Sequence, residues 1–175
     1  MNALETLEKM DIKELLSKGW ITHDAMWFFH SLQEVGIEKT NRINRAAVQS
    51  MSKIEVERLK KALGYQNKPI NTFDELTYFL TQAMDLVLAR FMRFKVSTPE
   101  KNVIHWEMEK DACFAFKGVS GMGVIDQYDC GVLYRIESWF QALGIDYEMR
   151  PRVTTCLMHA TGECKGDFVF NLKSF

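Results

Sequence analysis

The stretch STPEKNVIHWEME, residues 97–109, is where the chain changes character. Pro99 interrupts whatever precedes it, and from Asn102 onward apolar and polar residues alternate. Ile104, Trp106 and Met108 fall on one side, and His105, Glu107 and Glu109 on the other, which is the period of a half-buried strand. Before this point apolar residues recur at intervals of three and four. After it come short alternating runs around one helical pattern. Helices first and strands afterwards predict an α+β fold: an N-terminal helical lobe, residues 1–97, packed on an antiparallel sheet with one helix, residues 98–175. With 175 residues the two lobes are expected to form a single domain with a sizeable core.

Working back from Pro99, FDELTYFLTQAMDLVLARFMRF (73–94) is apolar on most sides and is expected to be the central helix. Thr72 and Glu75 form a capping box at its start. Residues 38–63 read as another helix, bent near Ser50–Ser52. Asn41, Asn44 and Val48 share one of its faces, which suits either solvent or a polar ligand or chain. Further back, DIKELLSK (11–18) predicts a short helix with Asp11 and Glu14 as its cap and Gly19 as its stop. Thr22 then opens a second helix running to Val35, closed by Gly36. Working forward, ACFAF (112–116) is a candidate strand, KGVSGMG (117–123) a glycine-shaped loop, and Gln127–Leu143 a helix stopped by Gly144. IDYEM, VTTCLMH and DFVFNL complete the expected strands.

Composition narrows the function classes. Apolar residues make up 47% of the chain, which excludes wholesale disorder, and the net charge is −1. Lys and Arg against Asp and Glu number 14 to 12 over residues 1–95 and 8 to 11 over 96–175, so neither half has the basic excess of a nucleic-acid binder. No apolar run approaches the roughly 20 residues that span a bilayer, and MNALETLEKMDIKELL is acidic and amphipathic, unlike a signal peptide. A cytoplasmic protein that meets neither nucleic acid nor membrane is expected.

Three constellations carry possible chemistry. WITHDAMWFFH (20–30) places His23, Trp27 and His30 on roughly one helical face, with Asp24 in the first turn. Seven residues separate the histidines by about 10 Å along a helix, too far to chelate one ion. This face either borders a pocket or belongs to the core. The second constellation is the cysteines: Cys113, Cys130, Cys156 and Cys164 all lie in the second half, with His159 between the last two. They form a candidate ligand set for zinc or iron, although no C-x-x-C pair is present. Cys130, following Asp129 at a helix start, is also a candidate nucleophile. The third is Arg150 and Arg152 around Pro151, able to hold a carboxylate. Phosphate-loop and serine-elbow motifs are absent.

WITHDAMWFFHSLQEVGIEKTNRINRAA followed by IEVERLKKALG resembles a family of small cytosolic bacterial and archaeal proteins of unknown function that open on W-x-T-H-D. The C-terminal half is more distantly similar to aminothiazoline-carboxylate hydrolase-like and vinyl-4-reductase-like domains. That resemblance implies a pocket for a small apolar or heterocyclic molecule between a helical lobe and a sheet. The expected protein is thus a homodimeric small-molecule binder, its pocket walled by Trp27, Phe28 and Trp139, with His23, Asp24 and His30 as polar anchors. A hydrolase using His23 or Cys130, and a cysteine-based metal or redox module, are the alternatives.

Overall fold

The computed structural model describes residues 2–110 and 112–173. After a single turn, α1 (Ala3–Thr6), the chain enters one very long helix, α2 (Lys9–Ala62). Next come α3 (Phe73–Val87), β1 (Phe94–Ser97), β2 (Val103–Met108) and α4 (Phe114–Gly121). A 3-10 turn at Ile125–Gln127 leads into α5 (Gly131–Leu143), β3 (Tyr147–Arg150), α6 (Leu157–Thr161) and β4 (Cys164–Phe170). The four strands form one antiparallel sheet in the order β1-β2-β4-β3, and the fold is α+β.

Several local signals act as read. Thr72 accepts from Glu75 N–H at 3.2 Å and Glu75 accepts from Thr72 N–H at 3.1 Å, so the capping box starts α3. Gly144 ends α5 with φ 70°. β2 turns Ile104, Trp106 and Met108 inward and leaves Glu107 exposed. His105, on the outer face, pairs with Asp167 across the strands, Nδ1 to Oδ1 at 2.7 Å.

Elsewhere tertiary contacts overrule the local pattern. Gly19 does not end a helix: α2 runs through it, starting after Glu8, whose side chain makes no capping bond, and not at Asp11. The carboxylates expected to cap are spent elsewhere. Asp11 pairs with Arg90 at 3.0 Å, Glu14 accepts from the Arg90 backbone N–H at 2.9 Å, and Lys13 donates to the Asp85 carbonyl at 2.7 Å. These contacts hold the helix against the far end of α3, offsetting the roughly 1 kcal/mol that glycine costs inside a helix. Gly36 does break the rod, at φ 75° and ψ 169°, a region essentially closed to other residues. Thr40 Oγ1 caps the exposed carbonyl of Gly36 at 2.8 Å, and the second arm proceeds through Ser50–Ser52 unbroken.

α3 is shorter than the apolar pattern suggests, ending at Val87, because residues 94–97 are taken by β2 as a sheet partner. ACFAF and VTTCLMH are not strands. Cys113 and Cys156 are helix N-caps, so each segment turns into α4 or α6, and α4 absorbs most of the glycine-rich stretch.

The main core lies between the inner sheet face, α5, α3 and the second arm of α2. Phe79, Trp106, Phe140 and Phe168 are its largest fully buried side chains. Phe140 meets Phe168 and Phe170 edge to face, with centroids 5.0 and 5.1 Å away. Two smaller clusters, around Val119 and Met158 and around Met108 and Cys113, fill the opposite end. The candidate sites lie among them.

Candidate functional site

A chamber of about 190 Å³ lies where both arms of α2 meet α3, α4, α5 and the start of the sheet. The first arm contributes Trp20, Asp24 and Phe28, spaced four apart; the second contributes Asn44, Val48 and Met51. Because Gly36 lies between the two sets, the break in α2 lets one element wall the space from two directions. Met51, Met84, Met92, Met108 and Met122, half of the chain's ten methionines, line the chamber. Unbranched thioether side chains repack readily around guests of different shape.

Four polar side chains interrupt this apolar wall. Arg135 is committed: its guanidinium makes a two-pronged pair with Glu55, with Nε at 3.0 Å from Oε2, and lies over the Trp20 ring at 4.9 Å from the centroid. Trp139 Nε1 donates to the same Glu55 oxygen at 2.7 Å. Tyr128 OH accepts from Gly131 N–H at 3.0 Å, and burial pushes its phenol well above the ordinary value. Asn44 has no hydrogen-bond partner among the described residues. Asp24 stands at the mouth, its side chain 59% exposed, with His23 Nδ1 3.8 Å away as its partner. The packing around Asp24 raises its carboxyl above the usual value, against smaller lowering effects from His23 and Arg135.

The residues expected to bind ligand separate into two groups. Asp24 and Trp139 lie on the chamber wall, as does Phe28, which meets Tyr128 edge to face at 5.7 Å. His23, Trp27 and His30 do not line it. Trp27 is 66% exposed and donates its indole N–H to His23 Nε2 at 3.1 Å; His30 is exposed beside Phe29. The i, i+4, i+7 stripe of those three residues looks outward, and the neighbouring stripe at 20, 24 and 28 looks in. Asn41, on the next arm, is buried and bridges the Gln127 carbonyl at 2.7 Å and the Asp129 N–H at 3.3 Å, fixing the entry into α5. Arg150 pairs with Glu148 on its own strand at 2.8 and 2.6 Å.

Behind the chamber is a second, nearly closed space of about 10 Å³, lined by Cys113, Cys130, Cys156 and Cys164 together. Phe94, Met108, Ala115, Tyr128 and Val132 wall both spaces. All four cysteines are free thiols. Although Cys130 caps α5, burial outweighs the helix dipole and pushes its thiol up to about 12. Burial moves Cys164 to about 12 as well, and raises Cys113. A thiol held protonated in this way is a poor nucleophile. His159, exposed on α6, stands outside the lining. Among the described residues no three His, Cys, Asp or Glu side chains stand in chelating geometry.

Among the described residues, no helix is long and apolar enough to cross a membrane, since the 54 residues of α2 are mixed in polarity throughout. No curated protein and no solved structure matches the chain. One family profile does, over residues 3–169, nearly the whole length: the protein belongs to the family of unknown function DUF6125.

Proposed function

We propose that the protein binds a small aromatic or heterocyclic molecule carrying one positively charged or hydrogen-bond-donating group. The observation that carries this reading is the chamber itself: methionine-rich, apolar, and marked at its mouth by Asp24, whose carboxylate has no cationic partner fixed against it beyond His23. Arg135 offers no free charge to an anion because Glu55 already holds it. A cavity of ~150 Å³ accommodates benzene. The present space therefore suits a single ring with one or two substituents.

Among the described residues Asp24 is the only carboxylate on the wall, and no base stands paired with a nucleophile there. Binding is thus better supported than turnover. The likeness of the C-terminal half to aminothiazoline-carboxylate hydrolase-like and vinyl-4-reductase-like domains points toward the same class of guest.

Ligand-observed NMR with benzylamine and ethylbenzene tests the proposal. Both are expected to bind, the amine about five- to tenfold more tightly through Asp24. Ala25→Trp, which fills the chamber from α2, should abolish both signals in a protein that still folds. Equal binding to wild type and Ala25→Trp, or no binding of either fragment, overturns it.

A further inference from the structure

We propose, resting on the reading of the chamber as a binding site, that Asn44 and Tyr128 form a pair of hydrogen-bond donors on its inner wall. The group they take is a carbonyl oxygen. The guest therefore carries a ketone or amide on its ring, away from the positive or donating group that Asp24 receives.

Asn41 and Asn44 lie three positions apart on the second arm of α2 and so share a face. Their amides are used differently. Asn41 is buried and holds the backbone on either side of Tyr128: it donates to the Gln127 carbonyl at 2.7 Å and accepts from the Asp129 N–H at 3.3 Å. Asn44 is partly buried on the chamber wall and has no hydrogen-bond partner among the described residues. The fold draws its support from Asn41 and requires nothing of the second amide. An apolar side chain in place of Asn44 would match the methionines around it.

Tyr128 stands beside this amide. It is 5% exposed, and its oxygen accepts from Gly131 N–H at 3.0 Å. The phenol proton has no acceptor among the described residues, and burial keeps it on the oxygen. Both polar heads crowd Gly131, where a Cβ would come 2.8 Å from Asn44 Nδ2 and 3.2 Å from the Tyr128 oxygen. Glycine there leaves the amide room to lie against the start of α5. A carbonyl oxygen has two lone pairs and can take both donors at once, whereas a ring nitrogen takes one. Donors unmatched in an apolar wall are costly, and a guest that matches them removes that cost. The placement fits a single substituted ring. Phe28, one turn or about 6 Å along α2 from Asp24, meets the Tyr128 ring edge to face at 5.7 Å.

Ligand-observed NMR on the full chain provides the test, with benzylamine, 4-acetylbenzylamine and 4-isopropylbenzylamine as probes. The isopropyl compound has the shape of the acetyl compound without its carbonyl oxygen. Wild type is expected to bind the acetyl compound about fivefold more tightly than the isopropyl one. Asn44→Leu, which keeps the side chain's size, and Tyr128→Phe are each expected to erase that preference. Asn44→Leu removes no internal hydrogen bond, so it decides the matter even if loss of the Gly131 partner unfolds Tyr128→Phe. Benzylamine binding without a preference for the acetyl compound in wild type overturns the donor pair and leaves the reading of the chamber standing. A preference that survives in Asn44→Leu likewise overturns the pair. Failure of all three probes to bind wild type overturns both.

Discussion

The indole N–H of Trp139 donates to Glu55 Oε2 at 2.7 Å, and through the same carboxylate Arg135 is held across the chamber wall. One acidic side chain on the second arm of α2 thus anchors two wall residues of α5.

Removing it should be costly. Glu55→Ala leaves the Trp139 N–H and the guanidinium of Arg135 without their acceptor at a half-buried position. A loss of about 2–4 kcal/mol is expected, measured by urea unfolding. Glu55→Gln retains one acceptor and should lose less. Equal stability of Glu55→Ala and wild type would show that the two helices are held by apolar packing alone.

Gly166 lies opposite Trp106 in the sheet. A Cβ built there would come 2.5 Å from the Arg150 carbonyl oxygen and 2.8 Å from the Trp106 ring. The first of these is backbone and cannot swing aside. Gly166→Ala should destabilise the protein by about 2–3 kcal/mol, read as a drop in Tm. By contrast, Gly19→Ala meets nothing within 4 Å in the middle of a helix and should stabilise slightly.

Asp24 gives a pH signature. Its folded pKa is raised, so folding disfavours the carboxylate; the penalty is present above that pKa and is relieved as pH falls through it toward 3.8. Asp24→Asn should therefore be marginally more stable than wild type at neutral pH, by about 1 °C in Tm after solvent screening, and the difference should vanish in acid. The same variant should lose the preference for benzylamine over ethylbenzene. A stabilised variant that keeps that preference would place the recognition elsewhere.

His23 and Trp27 bond to each other on an exposed surface. His23→Ala and Trp27→Ala should each shift stability by less than about 0.5 kcal/mol and leave fragment affinity unchanged. If His23→Ala abolished a hydrolytic activity of the wild type, a reaction centre outside the chamber would have to exist.

What the chain declares locally, it declares well. The Thr72–Glu75 box, the stops at Gly36 and Gly144 and the inward face of β2 were legible because each is written within a few residues, as a cap, a positive-φ glycine or a period of two. The order of those elements was enough for α+β. Three matters were decided only in three dimensions. Asp11 and Glu14 carry a cap signature, yet Arg90, some 80 positions away, takes both carboxylates, and the helix runs on through Gly19. The stripe of His23, Trp27 and His30 and the stripe of Trp20, Asp24 and Phe28 both fit a helix. Which one turns inward depends on where α3, α4 and α5 pack, and periodicity contains no information about that. The convergence of four cysteines is invisible in their spacing, because each sits where a different element begins and only the sheet and α5 bring those beginnings together. Sequence sets the faces and the ends of elements; long-range packing chooses which face becomes a wall and which ends meet.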